Sequence, residues 1–254
     1  MIMQAESGFR KLLGSFPESV KQVLRRVLHC LRYDPYMRPS YSQEGEDIIL
    51  DKLFGQQAKG FYIDVGAHHP MRFSNTYSFY RRGWCGINID AMPSSMLAFK
   101  KSRPRDINLE MAILKERGSL KYYQFNEAAL NGFSARLSEQ RNGLGSYKII
   151  GTVELEGLPL SEVLGKYMPT SIMQIDFMSV DVEGLDLEVL QSNDWERFRP
   201  KVILVELLSS SLSSISSDPV YKYLAEHGYS VFAKAVQTVF FASREFMAEQ
   251  GLRP

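Results

Sequence analysis

The stretch Phe61-Tyr-Ile-Asp-Val-Gly-Ala-His-His-Pro70 decides how the rest of the chain is read. Aromatic and aliphatic residues run into Asp64, and Gly66 and Ala67 follow. That pattern predicts a short buried strand ending in an acid and a tight turn of small residues. Arg72-Phe-Ser-Asn-Thr76 is polar, and Tyr77-Ser-Phe-Tyr80 reads as the opening of a helix. Strand, tight turn and helix build nucleotide-type sites, because backbone N–H groups there face a ligand that glycine lets approach. A second strand, Cys85-Gly-Ile-Asn-Ile-Asp90, also ends in an acid, 26 positions after Asp64. That is near the spacing of a carboxylate that holds ribose hydroxyls.

His68 and His69 stand where a dinucleotide fingerprint would place further glycines, which argues against a pyrophosphate cofactor such as NAD. A ligand with one nucleoside and an amino-acid tail suits the shorter turn, and S-adenosylmethionine has that form. Its carboxylate is expected at the turn amides and its ribose at Asp90.

Further along, Ile107–Ile113 reads as a third strand, with Glu110 and Met111 where an adenine ring would lie. Ser119–Phe125 and Lys148–Leu155 alternate like strands. The polar, glycine-punctuated segment 126–147 between them reads as a loop over the site that meets the acceptor. Leu160–Tyr167 suggests a short helix. Phe177-Met-Ser-Val-Asp-Val-Glu-Gly184 delivers Asp181 and Glu183 beside Gly184, and these two share a face if the strand persists. Lys201–Leu207 is apolar enough for a strand covered on both sides, and it carries Glu206. Tyr221–His227 reads as helix, and Tyr229–Phe232 with Thr238–Phe241 as a closing hairpin. In a parallel sheet, ligands bind beyond the carboxyl ends of the strands, so Asp64, Asp90, Glu110 and Asp181 are expected on one rim.

Ahead of the first strand, Ser42 can cap a helix over Ile48–Phe54, with Glu44, Glu46 and Asp47 complementing its positive end. Gln43 and Glu46 are also placed to line the cofactor site. Residues 1–40 carry seven basic and three acidic side chains. Val20, Val23, Leu24, Val27, Leu28 and Leu31 recur at helical spacing there, with a capping-box pattern at Ser15–Glu18. This basic amphipathic arm (1–40) is expected to pack on the domain (41–254), to dimerise, or to touch a membrane surface.

The 254 residues are 44% hydrophobic and 23% charged with net charge +1, ordinary for a globular chain and without bulk attraction for nucleic acid. Cys30 and Cys85 fit no disulfide framework or metal spacing, which suits a reducing cytoplasmic setting. No apolar run spans a membrane and no signal peptide is evident, so the expected location is the cytoplasm, including the inner membrane face. The serine-rich tract 209–217 reads as a loop.

Tyr41-Ser-Gln-Glu-Gly-Glu-Asp-Ile-Ile-Leu50, Phe61–His69, Ile87–Asp90, Asp106–Leu109, Ser179–Gly184 and Pro200–Glu206, in that order, resemble the FkbM-like S-adenosylmethionine-dependent methyltransferases. The resemblance covers roughly residues 40–245 and leaves the arm aside. It implies a class I methyltransferase fold of the Rossmann-like α/β kind: a seven-stranded, mostly parallel sheet, last strand antiparallel, between helix layers. It implies O-methyl transfer, often to a sugar hydroxyl of a glycan or natural product. It implies that Asp64, Gly66 and Ala67 hold the methionine part, Asp90 the ribose and Met111 the adenine, with Asp181 near the sulfonium. Where many relatives continue the first turn with asparagine and glycine, this chain has His68-His69-Pro70.

A sugar hydroxyl is a poor nucleophile, so a positioned base is expected among His69, His68, Asp181 and Glu183. Histidine is favoured because its ordinary pKa is about 6.5. The same four residues could hold a divalent cation, and a metal-dependent hydrolase is the rival reading. A non-catalytic scaffold that docks a partner through the basic arm is a third.

Overall fold

The computed structural model describes Pro17, Val20 and residues 36–207 and 211–251. Met1–Pro39 and Ser40–Pro254 form separate compact units. The amphipathic helix expected in the arm, with its capping box and its dimer or membrane contact, lies outside the described residues. Among the described residues no helix is long and apolar enough to cross a membrane.

Seven strands build the main sheet: β1 (Phe61–Val65), β2 (Cys85–Asp90), β3 (Ile107–Glu110), β7 (Ile175–Val180), β8 (Pro200–Glu206), β9 (Tyr229–Lys234) and β10 (Thr238–Ser243). Their order is β3-β2-β1-β7-β8-β10-β9. The first five run parallel, and β10 is antiparallel to both β8 and β9. Every residue of β1 and β7 is buried, as expected of central parallel strands covered on both faces.

Alternation along those strands sends side chains to two apolar layers. Ile63, Val65, Ile89, Met178 and Val205 face α5 (Leu160–Tyr167), α6 (Asp186–Gln191) and α7 (Pro219–Glu226). Tyr62, Phe177 and Leu204 face α1 (Glu46–Phe54), α2 (Tyr77–Arg81) and α8 (Arg244–Glu249). Trp84 is fully buried in the second layer, and Trp195 packs on Tyr223 and Tyr229. The helix α3 (Ser95–Ser102) packs beside β3.

Two expectations are corrected. Ile107–Ile113 is not one strand. The chain breaks at Met111, and β4 (Ala112–Ile113) leaves the main sheet to pair with β6 (Ile149–Leu158), which also pairs with β5 (Gly118–Phe125). The segment 126–147 is not a plain loop. It holds a 3-10 turn at Ala128–Leu130 and α4 (Ala135–Arg141), whose first turn is capped by Ser134 Oγ accepting the Leu137 N–H at 3.3 Å. At α1 the cap is Gly45 in the left-handed region, while Ser42 Oγ accepts the Asp47 N–H one turn in.

Candidate active site

The chain path reverses between β1 and β7, the switch point at which open α/β sheets bind ligands. A cavity of about 420 Å³ opens there, within the range of small-molecule sites. The ends of β1, β2, β7 and β8 form its floor, and segment 127–133 with Arg141 and Tyr147 forms one wall.

Gly66 makes the junction possible. Its φ is +83°, and a Cβ would stand 1.7 Å from the Asp181 carbonyl oxygen. Only glycine lets the turns after β1 and β7 touch this closely. The Asp181 N–H donates to the Val65 carbonyl at 2.9 Å. The turn amides expected to meet the methionine carboxylate are already engaged. Gly66 and Ala67 N–H both donate to the Ile89 carbonyl, His69 N–H donates to the Ala67 carbonyl, and His68 N–H donates to Asp90 Oδ2 at 2.7 Å.

Asp64 and Ala67, expected at the cofactor, do not line the cavity. Asp64 shares the opposite strand face with Tyr62 and turns into a buried polar network. Its Oδ2 accepts from Thr76 Oγ1 at 2.7 Å, and Thr76 Oγ1 accepts from Arg103 Nη1 at 2.9 Å. Arg103 is completely buried and also pairs with Asp106, at 2.8 Å, and with the Tyr62 hydroxyl. Burial pushes the Asp64 carboxyl up to about 6, against the pull of Thr76 and Arg103. Ala67 packs with Met96 and Phe99.

Asp90, Met111 and Gln43 do line the cavity. Asp90 Oδ1 accepts the Met92 N–H at 2.8 Å and Oδ2 the His68 N–H. Each oxygen keeps a lone pair for a ligand hydroxyl. Burial raises the Asp90 pKa, and the two amides oppose that rise. Ile89, Met111 and Ile113 give the same end apolar walls suited to a flat base.

The two histidines separate. His69 Nδ1 accepts the N–H groups of Met71, at 3.1 Å, and Arg72, at 2.9 Å, and the ring does not line the cavity. Its Nδ1 acceptor is spent on the turn, so the structure does not bring His69, expected as a candidate base, together with His68 at the cavity. His68 lines the cavity, and no described residue hydrogen-bonds its ring. Its φ is +52°, and burial, then the charges of Arg72 and His69, lowers its pKa.

Asp181, Glu183 and Glu206 each place a carboxylate oxygen within 4.8 Å of the other two. Asp186 fixes the turn beneath them by accepting the N–H groups of Val182, at 3.1 Å, and Gly184, at 3.2 Å. Glu183, at φ +55°, is paired with Arg141 at 2.6 Å. No described residue donates a hydrogen bond to the Asp181 or Glu206 carboxylate. The protein atoms packed around its carboxyl, then the charges of Glu206 and Glu183, raise the Asp181 pKa well above the carboxylate range. Water reaches Asp181 through the open cavity, so the neighbouring charges are the firmer cause. Glu206 is pushed up to about 8 by burial and then by Glu183 and Asp186, with Arg141 opposing.

Glu206 was visible in the sequence as the acid ending β8, but its meeting with Asp181 was not. Arg141 had no sequence signal, because the helix that carries it reads as loop.

The sheet order, the antiparallel β10 and an acid facing the cavity at the end of β2 are those of the class I S-adenosylmethionine-dependent methyltransferases. The family model described as the Methyltransferase FkbM domain matches residues 64–231, more than half of the chain, and the chain belongs to that family. Two solved structures are similar. One is a TehB-like SAM-dependent methyltransferase from Corynebacterium glutamicum, 11% identical over 89% of this chain and 97% of that one, TM-score 0.40. The other is precorrin-6y C5,15-methyltransferase from Geobacter metallireducens, 13% identical over 83% of this chain and 92% of that one, TM-score 0.39. No curated protein matches.

Proposed function

We propose that this methyltransferase acts on a hydroxyl oxygen of a sugar or glycan, with Asp181 and Glu206 as the proton-accepting pair. S-adenosylmethionine, when bound, supplies a methyl group already activated on a sulfonium. Asp90 holds the ribose and Met111 flanks the adenine. Gln43 lines the cofactor side of the cavity. The observation that carries the reading is a pair of carboxylates at the ends of β7 and β8, facing one cavity, to which no described residue donates a hydrogen bond. Each can accept the acceptor's O–H. A carboxyl pushed up to about 8 takes a proton near neutral pH far more readily than an ordinary one. With S-adenosylmethionine bound, the carboxylate would take the hydroxyl proton as the acceptor oxygen takes the methyl group from the sulfonium, whose thioether would be the product released. His68 is the second proton acceptor within the cavity. Glu183, neutralised by Arg141, positions the turn.

The test is methyl transfer to a panel of glycosides, read as S-adenosylhomocysteine release, in wild type, Asp181→Asn, Glu206→Gln and His68→Ala. A positioned base contributes about 100- to 10,000-fold, so kcat should fall by at least the lower figure in one carboxylate variant. Full turnover in both carboxylate variants with loss in His68→Ala would transfer the role to the histidine.

A further inference from the structure

Phe73 is hard to explain by folding alone. It lies in the turn between β1 and α2, lines the cavity, and is 39% exposed. It belongs to none of the apolar layers of the core. Its φ is +57°, a left-handed conformation that crowds Cβ and that a bulky aromatic residue adopts rarely. Such strain persists where the surroundings impose it, and it concentrates at ligand clamps. Here the surroundings are visible. The Arg72 guanidinium lies 4.3 Å from the ring centroid, and Glu127 on the opposite wall holds that guanidinium at 3.4 Å. The His68 ring stands nearly parallel to Phe73, at 21°, with centroids 6.4 Å apart. Tyr147, 41% exposed, lines the same cavity.

The charge around this ring is one-sided. Seven carboxylates and two arginines line the cavity. Both arginines are already paired, Arg72 with Glu127 and Arg141 with Glu183. An anionic ligand would find no free cation among the described lining residues, and its charge would add to the mutual repulsion of the acids already crowded there. A pyranose without negative charge would meet what such rings use: an aromatic face for its C–H side and carboxylates that accept its hydroxyls.

We propose that Phe73 is the platform on which the acceptor's ring stacks, and that the acceptor is an uncharged or amine-bearing pyranose rather than an anionic one. This deepens the sugar reading above and rests on it. Stacking on Phe73 sets the ring's orientation and brings a hydroxyl toward Asp181 and Glu206.

The experiment uses the full chain saturated with S-adenosylhomocysteine. Saturation-transfer NMR is recorded with three probes at millimolar concentration: methyl glucopyranoside, glucosamine and glucuronate. The first two should bind and the third should not. Phe73→Ala should weaken binding about 2- to 12-fold, the range of one aromatic contact. Phe73→Trp should restore it. Affinity for S-adenosylhomocysteine and thermal stability should stay at wild-type values in both variants. Equal binding of the neutral probe to wild type and Phe73→Ala would overturn the platform while leaving the sugar reading standing. Binding of no probe to protein that holds S-adenosylhomocysteine would overturn both. Glucuronate binding as well as the neutral sugar would overturn the charge selection. Loss of cofactor-product affinity in Phe73→Ala would make the residue part of the cofactor site instead.

Discussion

Glu206→Gln should stabilise the cofactor-free protein above pH 8 and leave it almost unchanged near pH 5. The Glu206 carboxyl moves from an ordinary 4.5 to about 8, through burial and the negative charges of Glu183 and Asp186. A raised pKa means that the folded state binds this proton more tightly than the unfolded chain does. The linked stability is therefore complete below pH 4.5 and is lost as pH rises through 8. The shift corresponds to a ceiling of about 5 kcal/mol. Cavity water and coupling to Asp181 reduce it, so about 2 kcal/mol is the working figure. For a chain of this size, that is roughly 4–8 °C in melting temperature. Glutamine keeps the shape and cannot ionise, so the difference between variant and wild type isolates this group. Thermal unfolding followed by circular dichroism at pH 5, 7 and 9 gives the readout. A gain of the same size at every pH would trace to packing and not to charge. A variant less stable than wild type at pH 9 would show that the Glu206 carboxylate has a stabilising partner, and the reading of a strained acidic floor would be wrong.

Asp90→Ala should raise the S-adenosylmethionine dissociation constant by about 10- to 100-fold, the worth of 1.4 to 2.7 kcal/mol of lost hydroxyl contacts. Asp64→Ala should lower the melting temperature while the folded fraction keeps its cofactor affinity; calorimetric titration of both variants decides, and equal affinity losses would return Asp64 to the cofactor. Arg103→Met should cost about 3–5 kcal/mol in denaturant unfolding, because Asp106 loses its cation in a site with no exposure; a cost under 1 kcal/mol would mean that the donors Tyr62, Gly86 and Asn88 suffice to hold the carboxylate. Gly66→Ala should abolish cofactor binding or folding, since its Cβ would lie 1.7 Å from the Asp181 carbonyl oxygen, and a variant that binds normally would show that the β1 and β7 turns can part.

The parallel strands were legible because each is a short apolar run ending in an acid, a local pattern that survives any tertiary arrangement. Phe61–Val65 and Cys85–Asp90 appear where the sequence reading put them, and the run expected at Lys201–Leu207 appears one residue earlier, as Pro200–Glu206. The helix Ala135–Arg141 was not legible, since Ser134-Ala-Arg-Leu-Ser-Glu-Gln-Arg141 is mostly polar and covers a cavity rather than a core. The break at Met111 was hidden too. Ile107-Asn-Leu-Glu-Met-Ala-Ile113 reads as one continuous strand-like run, and only pairing with β6 shows that its end leaves the main sheet.

By itself the sequence determined the family, the cofactor class and the acids that end the strands. Tertiary structure decided what each acid does. Asp64 and Asp90 look alike in sequence, yet strand alternation turns Asp64 toward Arg103 and leaves Asp90 at the cavity. His68 and His69 are adjacent, yet the turn consumes the Nδ1 acceptor of one and leaves the ring of the other facing the cavity. The physical reason is that a carboxylate's or imidazole's chemistry is set by its remaining lone pairs and the charges around it. Those are fixed by neighbours distant in the chain, as with Asp181 and Glu206, which meet only because β7 and β8 run side by side.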